Sequence, residues 1–179
     1  MKLLLKTLLA AVAAVSAGLL AASCEKADSD KPWGNALIYM PQANYSPYTV
    51  PNSGDETNVN QNWRFEDDRV LIFLGVYRAG LEELEEYSVN ISTGTEVLEN
   101  TTLLPASEYT LPSSVTCPAG KRDATFYLSV DLAFLQANSA TDYSLRVTIS
   151  DPSRYSLNES LCSTDVFIDT DALLGKLTE

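Results

Sequence analysis

Apolar residues follow two patterns along this chain, one continuous and one alternating. Residues 8–20 are apolar without a charge, and residues 70–77 form a second unbroken run, Val-Leu-Ile-Phe-Leu-Gly-Val-Tyr. The second run is too short for a helix of ordinary length and is rich in β-branched residues. It predicts a central strand buried on both faces. Elsewhere the period is two. Tyr87, Val89 and Ile91 alternate with Ser88, Asn90 and Ser92; Ala124, Phe126, Leu128 and Val130 alternate with Thr125, Tyr127, Ser129 and Asp131; Tyr143, Leu145, Val147 and Ile149 alternate with Ser144, Arg146, Thr148 and Ser150. Each reads as a strand with one wet face. Shorter strands are predicted at 37–40, stopped by Pro41, at 114–117 and at 161–168. A short helical crossover is predicted at 132–137, a helical turn within 97–104, and a short or frayed helix at 169–179. Residues 44–68, with Pro47, Pro51, Gly54 and many amides, read as one long loop, a kind usually functional or disordered. Six to eight short strands with little helix signal, roughly, predict an all-β chain folded as a single antiparallel β-sandwich.

The first apolar run has a different meaning. Lys2 and Lys6 precede it, and Leu20-Ala21-Ala22-Ser23 offers small residues before Cys24. That is the layout of a cleaved secretory leader. A Cys at the cleavage point resembles the lipobox of bacterial lipoproteins, with Ala21 where Leu is usual. Residues 1–23 are therefore expected to be a signal peptide, and Cys24 to carry the lipid. Two acyl chains anchor durably where one does not. The alternative is an uncleaved membrane helix, but the run falls short of the roughly 20 residues a span needs. Residues 24–34 read as the lipidated Cys with a flexible tether, residues 35–168 as the sandwich and residues 169–179 as a tail. Acidic residues soon after Cys24, among them Glu25 and Asp28, resemble the surface-export signal of Bacteroidota lipoproteins, diluted by Lys26 and Lys31. The expected location is the outer membrane, lipid-anchored and exposed at the cell surface.

Charge narrows the partners. The formal net charge is −12, and removing Lys2 and Lys6 with the leader makes the mature chain more acidic still. Such a chain does not bind nucleic acid by electrostatics. There is no His, so Ser-His-Asp and Cys-His catalysis and His-ligated metals are out of reach. Cys117 and Cys162 remain after Cys24. In an oxidising compartment they are candidates for a disulfide, worth up to ~4 kcal/mol; two separate thiols are the alternative.

The carboxylates supply no catalytic pair. Glu82, Glu83, Glu85 and Glu86 share one turn, as do Asp67 and Asp68, whereas a glycosidase needs two carboxylates facing each other across a cleft. Asp28-Ser29-Asp30 and Asp169-Thr170-Asp171 lack the further ligands of a calcium loop. No catalytic residue, metal or cofactor is expected. The strongest binding candidate lies between Tyr45 and Phe65. Sugar rings combine apolar faces with a fringe of hydroxyls, which aromatic plates and amide side chains match. Trp63 would be the platform, Tyr45 and Tyr48 would stand beside it, and Asn60, Gln61 and Asn62 would be its polar partners. The alternative places Trp63 and Phe65 in the core, since Trp is usually largely buried.

Three strings, in order, carry a resemblance. Tyr39-Met40-Pro41-Gln42-Ala43, Leu104-Pro105 with Tyr109-Thr110-Leu111, and Pro118-Ala119-Gly120-Lys121 before a strand resemble segments of an uncharacterised domain of Bacteroidota surface lipoproteins. The likeness covers residues 35–150. Arg146 departs from it, standing where Pro is common. The family is similar to immunoglobulin-like modules and is often placed N-terminal to chitinase-like endoglycosidases. No catalytic domain is expected to follow before Glu179, so the resemblance implies an immunoglobulin-like sandwich, lipid anchoring and a glycan-related setting. The expected role is a non-enzymatic accessory glycan binder at the cell surface. The alternative is an adhesin-like or structural module docking an outer-membrane protein through a strand edge.

Overall fold

The computed structural model describes residues 36–52, 61–80 and 83–178, all within the compact unit Gly34–Glu179. The leader, Cys24, the whole tether and Asn60 lie outside the described residues. The chain folds as a sandwich of two sheets. The first runs β11 (Ser156–Leu157), β1 (Leu37–Tyr39), β4 (Arg69–Arg78), β9 (Asp123–Asp131), β7 (Tyr109–Thr110), with β3 (Trp63–Glu66) also on β4. The second runs β2 (Tyr48–Val50), β12 (Ser163–Ile168), β10 (Tyr143–Ser150), β5 (Tyr87–Thr93), β8 (Ser114–Cys117), with β6 (Thr102–Leu103) also on β10. Among the described residues no helix is long and apolar enough to cross a membrane.

The period-two alternation builds the core. Val70, Ile72, Leu74 and Val76 of β4 and Phe126, Leu128 and Val130 of β9 turn inward. From the second sheet Val89, Ile91, Leu145, Val147, Ile149, Val166 and Ile168 join the same cluster. Each such side chain contributes about 1.5–3 kcal/mol on burial. The crossover helix α1 (Leu132–Ala137) forms where predicted, with the Asp131 carboxylate accepting from Phe134 N at its start. Helix α2 (Thr170–Gly175) follows β12 and is capped in the same way by Asp169, whose carboxylate accepts from Ala172 N at 3.0 Å. Asp169 thus caps a helix.

Four expectations need correction. Strand β4 buries one face only; Leu71, Phe73 and Tyr77 on the other are half-covered. Its even residues Val70, Ile72, Leu74 and Val76 join the core, whereas Leu71, Phe73 and Tyr77 lie on the outer side of the sheet. Residues 44–68 are not one long loop. They hold β2 and β3, preceded by a 3-10 turn at Pro41–Tyr45, and the Ser46–Pro47 and Val50–Pro51 peptide bonds are cis. Residues 97–104 hold no helical turn: Thr101 N donates to Leu98 O at 3.2 Å across a turn in which Asn100 has a positive φ of 61°, and the chain then runs extended as β6 pairs with β10 and Leu104 is buried. The pairing is also not wholly antiparallel. β1 with β11, β6 with β10 and β2 with β12 run parallel, since these pieces of two or three residues reach their partners through long connections instead of hairpins.

The disulfide does not form. Cys117 and Cys162 are both free thiols. Cys117 ends β8, and Cys162 immediately precedes β12. With β5 and β10 between those strands, three strand spacings separate them, roughly 14 Å. A bridge requires Cα atoms within about 7 Å. The Cys117 thiol donates to Asp123 O at 3.3 Å and that of Cys162 to Glu159 O at 3.2 Å.

Candidate functional site

Strand β9 runs along one side of β4 for almost its full length. The other side is shared by two short strands. β1 covers Tyr77 and Arg78, and β3 covers Arg69 to Ile72. Between them the edge of β4 around Phe73 and Gly75 has no strand beside it. Unpaired backbone groups in a sheet are costly to leave unsatisfied; Phe73 N still reaches backbone, donating to Asn62 O at 2.9 Å, and two side chains serve further groups at the gap. Gly75 N donates to the Gln42 Oε1 at 3.3 Å, and the Tyr48 hydroxyl donates to Phe73 O at 3.0 Å. Gln42 belongs to the 3-10 turn that Pro41 opens, and Tyr48 begins β2. Gln42 O also accepts from the Thr164 hydroxyl of β12 at 3.3 Å. The turn therefore ties the notch in the first sheet to the second sheet.

A groove of about 650 Å³ opens over this notch. Tyr45, Pro47, Pro51 and Phe73 give it apolar walls, while Gln42, Asn52, Gln61 and Asn62 give it amides. None of its described lining residues carries a formal charge. Tyr45 stands at the groove 73% exposed.

The hydrogen-bond directions are fixed by elimination. A backbone N–H can only donate, so the oxygen of Gln42 faces Gly75 and its amide nitrogen faces away. Tyr48 spends its proton on Phe73 O. The side chains of Gln42 and Asn62 stand near its oxygen. Burial pushes the Tyr48 phenol up from 10 to about 12, against the opposing pull of those two amides. Asn62 is organised more tightly still. Its Nδ2 donates to Thr49 O at 2.8 Å, its Oδ1 accepts from Asn52 N at 3.2 Å, and its own N donates to Asn52 Oδ1 at 3.4 Å.

Of the residues expected to bind glycan, four come together here: Tyr45, Tyr48, Gln61 and Asn62. Their roles differ from expectation. Tyr48 and Asn62 form the frame, and Tyr45 and Gln61 line the groove outside it. Trp63 is corrected outright. It is 6% exposed, turns inward from β3 opposite Ile72, and packs edge-on against Phe65 with ring centroids 5.0 Å apart. The strand's alternation puts its large apolar positions in the core, so Trp63 is no platform. Asn60 lies outside the described residues. Sequence reasoning missed Gln42, Pro47, Pro51, Asn52 and Phe73 as lining. Phe73 was hidden because the unbroken apolar run 70–77 reads as buried on both faces, and only the fold turns its odd positions outward. Gln42 was hidden because its role depends on a gap in a strand edge far along the chain.

A family model described as a "-like, N-terminal domain" matches residues 34–156, most of the chain. The chain belongs to that family. The family's extent takes in both sheets except the last residue of β11 and all of β12, which lies between β2 and β10 in the second sheet. No curated protein matches the chain. Among solved structures, three from Bacteroides ovatus are similar to it. One is a protein of unknown function, with 15% identity, a TM-score of 0.45, and coverage of 59% of this chain and 38% of that one. The second is provisionally named a carbohydrate binding protein, with 16% identity, a TM-score of 0.45, and coverage of 74% and 36%. The third is a multidomain protein including DUF1735, with 13% identity, a TM-score of 0.38, and coverage of 60% and 36%. The chain thus spans well under half the length of these three proteins, and none of them is described as an enzyme.

Proposed function

We propose that this chain is a lipid-anchored cell-surface protein that binds neutral glycan in the groove over the β4 notch, as a non-enzymatic accessory to glycan capture. The observation that carries the reading is the lining. A strongly acidic chain has built an uncharged groove from aromatic rings, prolines and amides, the mixture that suits the apolar faces and hydroxyl fringe of a sugar. Preorganisation supports it further. The hydrogen bonds around Gln42, Tyr48 and Asn62 hold the walls in place before any ligand arrives, which lowers the ordering cost of binding. Anchoring through Cys24 rests on the leader pattern. The glycan-related setting rests on the resemblance to N-terminal domains of endoglycosidase-bearing surface lipoproteins.

Affinity electrophoresis of the full chain in detergent tests the reading. The gels would contain dextran, laminarin, xylan, galactomannan or yeast mannan. At least one neutral polymer is expected to retard the protein in proportion to its concentration, and the Tyr45→Ala/Gln61→Ala double variant is expected to migrate freely. Unchanged mobility in every polymer would overturn the groove reading and favour a module that docks a partner protein.

A further inference from the structure

Two aromatic rings stand exposed among the described residues, Tyr45 and Tyr127. Both are neighbours of Phe73. Tyr45 lines the groove with it. Tyr127 sits directly opposite it across the β4–β9 pairing, on the outer face of the first sheet. The Phe73 and Tyr127 rings meet edge-to-face with centroids 5.4 Å apart. Arg64, on the same face of β3, holds its guanidinium 5.5 Å from the Phe73 centroid and 5.4 Å from that of Tyr127. A salt bridge to Glu66 at 2.5 Å steadies the Arg64 head. Phe73 is therefore shared. It is a wall of the groove on one side and part of a fixed aromatic pair on the other. Thr125, exposed two residues before Tyr127, adds a hydroxyl to that face, and the Arg64 fork adds donors.

We propose that the binding surface does not end at the groove but continues past Phe73 over the outer face of the first sheet to Tyr127. The ligand is then an internal stretch of an extended neutral glycan, lying across the sheet, rather than a chain end held in a pocket. This rests on the groove reading above. A chain end needs only the groove and would leave Tyr127 without a role. An extended chain would meet Tyr45, the amides and Phe73 first, then the Tyr127 ring and the Arg64 donors, which are already locked in place by their mutual contacts.

The test is a size ladder. The polymer retained in affinity gels is partially hydrolysed, and purified oligomers from disaccharide to octasaccharide are titrated into the full chain by calorimetry. Affinity is expected to keep rising beyond the trisaccharide. Tyr127→Ala should weaken the octasaccharide about tenfold, equivalent to ~1.4 kcal/mol, and leave the disaccharide unchanged. Tyr45→Ala should weaken both. A thermal melt of each variant separates lost binding from lost folding, and Tyr127→Phe, which keeps the ring, should retain the long-chain affinity. An affinity that levels off at the disaccharide, or an octasaccharide indifferent to Tyr127→Ala, would overturn the extended track while leaving the groove intact. Binding of no polymer would remove both readings together.

Discussion

Asn62 shows how one side chain can look like a ligand contact and serve as a frame. Sequence places it among amides and aromatics, where a sugar partner is the natural expectation. In the fold both ends of its amide serve the protein: Nδ2 donates to Thr49 O and Oδ1 accepts from Asn52 N, in a side chain only 6% exposed. Removing one partner of a buried hydrogen bond costs about 1–3 kcal/mol. Asn62→Ala is expected to lower stability by that amount in urea denaturation, and a change within error would contradict the framing role. Tyr48 makes a pH prediction. Its phenol holds its proton until about pH 12, above its ordinary value of 10. Between those values the folded chain binds more protons than the unfolded one. The stabilisation is therefore complete below pH 10 and is lost as pH rises through about 12. Tyr87 is shifted upward too, also mainly by burial, so Tyr48→Phe should flatten the alkaline decline without abolishing it. The flattening should be about 2 kcal/mol in chemical denaturation across that range. An unaltered slope would count against a buried phenol. The thiols are tested by labelling. Maleimide should modify the half-buried Cys162 in the folded chain and the fully buried Cys117 only after unfolding, and a peptide joining the two in an unreduced digest would contradict the separation of β8 from β12.

At the scale of elements, legibility followed the alternation. β5, β9 and β10 could be read because each alternates apolar and polar residues over seven or more positions, with exposed polar positions in β5 and β9 and half-buried or, at Ser144, buried ones in β10. α1 could be read from a short apolar segment after Asp131. β2 was hidden, being three residues set between Pro47 and Pro51. β3 carried a legible sign, Trp63 and Phe65 inward against Arg64 and Glu66 outward, but four residues amid amides gave the pattern little weight. The three parallel pairings had no sequence sign, since they depend on where long connections return. The candidate site was half legible for the same reason. The right segment stood out by composition, yet which residues face solvent was decided by the notch in β4, where β1 ends and β3 has not begun. Gly75 sits at that notch. A Cβ there would lie 3.1 Å from the Ala124 carbonyl oxygen of the paired strand, and backbone in a ladder yields little. Gly75→Ala is expected to destabilise the fold by about 1–3 kcal/mol, read as a lowered thermal midpoint. A neutral or raised midpoint would show that β9 can move aside.

The molecule as a whole joins an acidic body to an uncharged groove. Net charge keeps such a protein soluble and apart from anionic partners, while the neutral groove leaves recognition to shape, ring faces and amides. The alternating strands bury a core large enough to hold both sheets, and what distinguishes this sandwich is its interrupted edge, sealed by Gln42 and Tyr48. If that groove is the binding site, its affinity must depend on Tyr45 and Gln61 and must not depend on charge. The decisive measurement is a calorimetric titration of the full chain with the polysaccharide that retards it most, at low and high salt. Wild type should bind saturably with an affinity insensitive to salt, and Tyr45→Ala/Gln61→Ala, shown by its melt to be folded, should give no heat. Saturable binding that survives in the double variant, or that weakens steeply with salt, would place recognition elsewhere on the molecule and contradict the account.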